Sequence, residues 1–314
     1  MNFNLTHGLS SLLVFLDFSI ESALLYMIIF RTSKSMAKFK VYLALLCLNS
    51  LSMSVCIGFV WQPEFLMPPF CIYSSGLLSN LVNNSLLAAI VAALIIANIH
   101  LLLLSYYFVY GQMNYDTNKS ASCCRIASEA LFIVLPAVCI FILICFSSSS
   151  TSYIQMHTVH NVHEHPDIIC YFIGDLQADG LVHYSMAFIA VCGVVFIFLT
   201  AFLLIRIRQR LRNPPTYMSD YTLQLHRMFF TNIIVQSLTP LVCVFLPLIP
   251  LLVFVALGER AAPVLFVNFL NITCLLNSVV SSSLIIYLTK PYREYVLSRF
   301  RICKEKLTKL SMIR

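Results

Sequence analysis

Charge in this chain is gathered into a few short segments, and the stretches between them are apolar and long. Seven such stretches can be read: Leu9–Phe30, Val41–Val60, Cys71 to about His100, Ala130–Phe146, Leu181–Ile205, Met228–Leu257 and Val264–Leu288. A helix rises 1.5 Å per residue, so about 20 residues cross the roughly 30 Å of hydrocarbon in a bilayer. Each stretch reaches or approaches that length, the fourth being short. A spanning β-barrel needs ~10-residue segments of alternating polarity, and none of the seven alternates. The expected fold class is all-α. A seven-transmembrane helix bundle covers residues 1–290, and a basic tail covers 291–314. Composition excludes the alternatives. Only 11% of residues are charged against 60% hydrophobic, where a soluble domain carries roughly 25% charged. There are too few charges to coat a water-soluble globule, and 8 Gly and 12 Pro exclude collagen-like or disordered chains.

Placement of the basic residues predicts orientation. Of 20 Lys and Arg, 19 fall in the segment 31–40, the segment after span three, the segment Arg206–Arg227 and the tail from Lys290; only Arg260 lies on the opposite side. Positive charge accumulates on the cytoplasmic side of membrane proteins, which sets the N-terminus outside and the C-terminus inside. The net charge of +7 is thus sided. It faces anionic inner-leaflet lipid rather than nucleic acid. Residues 1–8 hold no Lys or Arg, and the first apolar stretch is too long for a signal-peptide core, so it reads as an uncleaved helix. The sequon Asn4-Leu5-Thr6 is outside and open to glycosylation. Those at Asn83, Asn118 and Asn271 are expected to stay bare, within spans or in the cytosol.

Several polar residues stand out against this background. Asp17 and Glu21 are the carboxylates well inside a span, on one helix face by their four-residue spacing. Buried charge in a bilayer is costly, so an ion or proton site, a cationic-ligand contact and a merely hydrogen-bonded interior face are all open readings. His157, His160, His163 and His165 crowd the loop after span four. They are weak candidates for metal or proton sensing beside the plain reading of a solvated loop. No metal, cofactor or enzymatic motif emerges: no Gly-rich phosphate loop, C-x-x-C, H-E-x-x-H or G-x-S-x-G occurs. In the tail, Val296, Phe300, Cys303, Leu307 and Leu310 recur at four- and three-residue spacing among Lys and Arg. That is an amphipathic helix lying on the membrane surface, with Cys303 a candidate for S-palmitoylation.

Motifs narrow the class. Met218-Ser219 and Thr222-Leu223-Gln224 lead into span six, followed by Gln236, Pro240 and Pro247, and Lys290-Pro291-Tyr292-Arg293 follows span seven. Together with Tyr42–Asn49 and Pro68–Gly76, these resemble the nematode serpentine chemoreceptors of the Str superfamily, in particular its class H and class I groups. The resemblance covers most of the chain and is strongest over 218–293. It implies a G-protein-coupled receptor in the plasma membrane, at the cilium of a chemosensory neuron. Such a receptor detects a small odorant-like ligand and signals to a heterotrimeric G protein. The rhodopsin-like Asp-Arg-Tyr and Asn-Pro-x-x-Tyr are absent. Ala97-Asn98-Ile99-His100 stands where the family often has a Glu-Asn-Arg-like triplet, which leaves coupling open to being altered, constitutive or absent.

The resemblance also implies a disulfide between Cys71 and Cys170, both outside, which would pin the second outer loop over the bundle mouth. Leu77–Tyr110 is 34 residues, roughly 51 Å of helix. It is too long to be immersed entirely, so its inner end from Ser105 to Tyr110 is expected to project or lie along the interface. Its outer half presents Ser75, Ser79, Val82, Asn83 and Leu86 on one helix face. With Tyr184, Asn268 and Asn271 these are the expected ligand contacts, the alternative being interhelical packing bonds. Gln236, Pro240 and Pro247 form the expected switch, because proline kinks a helix and a kinked helix can act as a lever. Arg206, Arg208, Arg210, Arg212 and Arg227 are then expected to face the G protein, or lipid headgroups. The competing readings are a transporter or channel, and a non-signalling partner that forms a dimer with another receptor. No internal repeat of the kind transporters show is visible.

Overall fold

The computed structural model describes residues 3–32, 37–66, 70–78, 81–113, 122–147, 169–171, 180–214, 219–245 and 264–311. Its helices are α1 (Phe3–Arg31), α2 (Ala37–Val55), α3 (Asn84–Met113), α4 (Ser122–Ser147), α5 (Gly180–Arg212), α6 (Asp220–Pro240), α7 (Val264–Leu288) and α8 (Lys290–Ser311). Among the described residues, Gly8–Arg31, Phe39–Trp61 and Asn84–Met113 are each long and apolar enough to cross a membrane. The pair Ile272–Leu288 and Lys290–Arg299 makes a fourth such span if taken as one, but it bends by 94° at Thr289. The amphipathic pattern after Tyr292 causes this turn. A helix with one apolar stripe among Lys and Arg is driven onto a surface rather than along the bundle axis.

In α1, Val14, Asp17, Glu21, Leu24 and Ile28 are buried at spacings of three and four, so both carboxylates lie on the inward face. Leu12, Phe15, Phe18, Tyr26 and Phe30 point outward and are exposed. A face of exposed Leu and Phe is stable only in a non-aqueous surround. The most enclosed helix is α3, which packs against α2, α4, α5 and α6 and buries an unbroken run from His100 to Tyr106. A helix apolar on all sides belongs at the centre of a bundle.

At one end, here the lid end, three short antiparallel strands form a sheet in the order β1 (Pro63–Leu66), β2 (Phe70–Ser74), β3 (Ile169–Tyr171). The sequence pattern did not signal it. Its foundation is a π-helical turn, Cys56–Trp61, that ends α2 with Gln62 in the left-handed region at φ 43°. The returning chain laces onto the carbonyls this turn leaves free. Gly76 N–H donates to Trp61 O at 3.0 Å and Leu77 N–H to Phe59 O at 2.9 Å, while Ser74 Oγ donates to Trp61 O at 2.7 Å. Gly76 is required there, because a Cβ would strike the Val60 carbonyl.

This corrects the third span. Cys71–Ser74 is strand, and the helix starts only at Asn84, whose predecessor Asn83 caps it by accepting from Ser85 N–H at 3.0 Å. The helix α3 itself still runs 30 residues, roughly 45 Å. Ser105, Tyr106, Phe108 and Val109 are buried in the bundle core. Ser75, Val82, Asn83 and Leu86 therefore share no helix face: Ser75 follows a strand, and Asn83 precedes the helix. Asn83 is exposed at the lid end, just before the span, while Asn84 and Ser85 of its sequon are buried in the first turn of α3. Ala97–His100 falls near the middle of α3, well short of its basic-side end.

Candidate functional site

Midway along the bundle, helices α1, α2, α3, α6 and α7 enclose a polar cavity of about 30 Å³. Its centre is Glu21, 1% exposed. Glu21 Oε1 accepts from Ser278 Oγ at 2.8 Å and Ser282 Oγ at 2.7 Å, and Oε2 accepts from Cys47 Sγ at 2.6 Å. Ser50 Oγ bonds Ser278 Oγ at 2.8 Å, which extends the network to α2. Asn98, Gln236, Asn277 and Ser281 complete the polar lining. Gln236 Oε1 and Asn277 Oδ1 are buried with no hydrogen-bond partner. One turn toward the lid end, Asp17 is equally buried. Ser54 and Ser278 stand beside it, yet neither closes a hydrogen bond to its oxygens. Among the described residues, no group of three or more His, Cys, Asp or Glu gathers as a metal centre would need.

At the lid end, the strand register sets Cys71 opposite Cys170. Directly opposed residues of an antiparallel pair have Cα atoms about 4.5–5.5 Å apart, inside the range a disulfide spans. Trp61 Nε1 donates to buried Asn84 Oδ1 and so fastens the π-turn to the start of α3.

At the opposite, basic end, a groove of about 480 Å³ opens between α1, α6, α7 and the start of α8. Its lining includes Gln224, Met228, Thr231, Lys290, Pro291 and Tyr292. The Thr-Leu-Gln and Lys-Pro-Tyr motifs, 66 residues apart in sequence, thus converge on one site. The groove wall is fixed by polar ties. Tyr292 Oη bonds Thr32 Oγ1 at 2.8 Å, and Asn232 exchanges two hydrogen bonds with Thr289 at 3.0 and 3.3 Å. Burial pushes the Tyr292 phenol above its ordinary range, with the Thr32 bond pulling the other way. Arg31 stacks on the Tyr295 ring at 4.4 Å.

The sequence-predicted residues divide as follows. Ser75 is spent on the lid, its Oγ donating to Gln62 O at 3.0 Å, and Val82 packs beside Trp61 and Leu87. Leu86 is exposed in the first turn of α3. Tyr184 lies in α5, and Asn268 and Asn271 lie in α7, but their side chains are outside the described residues, as are those of Cys71, Cys170, Asn4 and Cys303. Ser79, Pro247 and the His157, His160, His163 and His165 cluster are outside them entirely. Gln236 and Pro240 do come together, both on the cavity, and α6 passes into a π-helical turn, Leu241–Phe245, directly after Pro240. Arg206, Arg208, Arg210 and Arg212 are exposed on the last turns of α5, and Arg227 is exposed on α6.

Sequence reasoning missed Cys47, Ser50, Asn98, Asn277, Ser281 and Ser282. The available signal was polar side chains at positions in α2, α3 and α7 that turn toward α1, because such groups avoid lipid.

The family model described as "Serpentine type 7TM GPCR chemoreceptor Srh" matches residues 6–302 of the chain. No curated protein matches it.

Proposed function

Since the chain belongs to the Srh family of serpentine seven-transmembrane chemoreceptors, we propose that it binds a small environmental molecule at the lid end and drives a heterotrimeric G protein from the basic end. Membership makes it a membrane receptor of a non-enzymatic family. The finer reading is supported chiefly by α6, which borders two sites at once. Its Gln236 and Pro240 line the polar cavity, and its Gln224, Met228 and Thr231 line the basic-end groove. A rigid element touching both lets a ligand that prefers one arrangement shift the other site's shape.

In this reading the basic end is cytoplasmic. Arg206, Arg208, Arg210, Arg212 and Arg227, exposed on α5 and α6, meet the G protein. Helix α8 rests on anionic lipid, with Cys303 acylated. Cys71 and Cys170 are joined, which ties β3 to β2 across the mouth. The ligand contacts are drawn from Ser79, Val82, Leu86, Tyr184, Asn268 and Asn271, and the site of action is the sensory cilium.

The test is expression in cells challenged with volatile and water-soluble odorants, read by second messenger and by membrane current. A second-messenger response that disappears when Gα subunits are removed is expected. A ligand-gated current that survives their removal would instead make the chain a channel. Glycan mapping tests orientation: modification at Asn4 is expected, and modification at Asn118 would invert the topology.

A further inference from the structure

The basic-end groove opens sideways between two helices and not into the centre of the bundle. One wall is the α6 face of Tyr221, Gln224, Leu225, Met228 and Thr231, and the other is the elbow where α7 turns into α8. Among the described residues, nothing from α2, α3 or α5 lines it. At about 100° of turn per residue, the α6 wall stands between two faces of that helix. Phe229, Asn232 and Ile233 make its buried face, while Arg227 and Leu238 are exposed on its outward face. Toward the lid end the outward surfaces continue as exposed Leu238, Leu241 and Val242 beside exposed Val280, Leu284 and Tyr287. The groove is therefore the basic-end terminus of the lipid-facing seam between α6 and α7.

Its chemistry is divided in two. Leu225, Met228, Leu288 and Pro291 supply apolar surface, and Arg31 and Lys290 supply two positive charges. No carboxylate lines the space among the described residues. Lys290 meets Glu294 at 3.8 Å with both side chains exposed, a contact that water screens. Arg31 lies over the Tyr295 ring at 4.4 Å, and a guanidinium on a ring face keeps the N–H donors of its edge. An apolar half joined to a cationic half matches an amphiphile with an anionic head. The volume of about 480 Å³ falls within the roughly 300–1,000 Å³ of small-ligand sites.

We propose that this groove binds one anionic phospholipid, its phosphate held by Lys290 and Arg31 and the start of an acyl chain laid on Leu225, Met228 and Leu288. Basic pockets between membrane helices recognise lipid headgroups in this way. The site is distinct from the general attraction of α8 to charged lipid, because α6 forms one of its walls. A protein segment entering the centre of the basic end would meet α3 and α5, which do not border this groove. The Asn232–Thr289 tie stands at the same elbow, so a seated lipid braces the joint that fixes α6 to α7. That the lipid belongs to the inner leaflet rests on the cytoplasmic reading of the basic end; occupancy of the groove does not.

The test uses the full chain in neutral detergent micelles with a phosphatidylserine that carries a photoactivatable diazirine on one acyl chain. Adducts mapped by peptide mass spectrometry are expected at Leu225–Met228 and Leu288–Pro291. Unlabelled phosphatidylserine should compete, and phosphatidylcholine should not. Lys290→Gln and Arg31→Gln should each weaken apparent affinity roughly fivefold, while Arg301→Gln, exposed farther along α8, leaves it unchanged. Met228→Trp, which fills the groove and keeps every charge, should abolish these adducts. Should it not fold, the two Gln variants, both at exposed side chains, still decide. Micelles are indifferent to orientation, so a silent second-messenger assay or an inverted glycan pattern leaves the labelling result standing. Adducts spread evenly over the exposed helix faces, or an Arg301→Gln loss as large as that of Lys290→Gln, would overturn the site. Competition by glycerophosphoserine as strong as by the intact lipid would make a soluble phosphate ester the occupant and overturn the lipid.

Discussion

Around the basic end, side chains from Leu24 in α1 to Tyr292 in α8 form one continuous core of twenty buried residues. Toward the lid end, the described residues form two clusters of three, around Val14 and around Trp61. The basic-end core is tightly interlocked: the Phe39 and Phe229 rings lie 3.7 Å apart, and Tyr106 is wholly buried with its hydroxyl 3.0 Å from Ser237 Oγ. The lid end relies on main chain instead. Its π-turn, hairpin and third strand are laced by backbone bonds, with side-chain bonds from Trp61, Ser74 and Ser75 added to them. The contrast separates two tasks. Helices in lipid have no hydrophobic drive toward one another and associate by packing and polar ties, and among the described residues that packing is most continuous at the basic end.

The largest effect should come from breaking the basic-end core. Tyr106→Ala leaves a large void at the centre of the bundle and is expected to cost about 3–5 kcal/mol, measured as thermal unfolding in detergent and as surface expression. The same truncation at Leu13, in a lid-end cluster, should cost less. If the two were equal, the division drawn above would not hold.

Next comes the cross-link expected at the lid. Cys71→Ser and Cys170→Ser should each lower stability by about 2–4 kcal/mol, and the double variant by no more than either alone. Additive losses would show that the two cysteines act separately. Third, Gly76→Ala should cost about 1–3 kcal/mol by forcing a methyl against the Val60 carbonyl. It should impair ligand response while leaving partner binding at the basic end unchanged.

The smallest effect is expected at the polar tie between α6 and α7. Thr289→Val removes the hydroxyl that exchanges hydrogen bonds with Asn232, and intramembrane ties of this kind average about 0.6 kcal/mol. The readout is basal second-messenger level, which should rise as α6 is freed. Nearby, the Thr32–Tyr292 tie should be insensitive to pH up to the ordinary phenol range. Tyr292 is held protonated by burial, so its contribution is complete below the unfolded pKa and is lost only as pH climbs through its raised folded value.

Much of this architecture was legible. The apolar stretches located six of the seven helices, with described helix ends reaching up to about two turns beyond them, and Val264–Leu288 coincided with α7. The i, i+4 spacing placed Asp17 and Glu21 on one inward face, and the tail's stripe matched α8. The third span failed because Cys71–Leu87 is nearly uncharged, and apolar content alone cannot separate a strand and turn from a helix. The distinguishing marks were Gly76 and the capping Asn83, and both were read as parts of a helix. The cavity was only half visible. Glu21 was plain as a carboxylate in a span, but its partners Cys47, Ser278 and Ser282 are ordinary residues in helix sequences. Only tertiary packing brings them within 3 Å of it. The groove was hidden for the same reason, since Gln224 and Pro291 meet only once α6 and α7 are docked.

The π-helical turn at Cys56–Trp61 has a consequence for how such a chain can diverge. A turn of this kind holds one residue more than the α-helix it interrupts. Deleting a single codon there would wind it back to α-helix and leave the exit direction of Gln62 nearly unchanged, because the wider turn carries its extra residue in about the same rotation. The basic-end core would be untouched. One-residue changes of length at this turn can therefore be absorbed where they occur, without re-aiming the lid strands or disturbing the basic-end core.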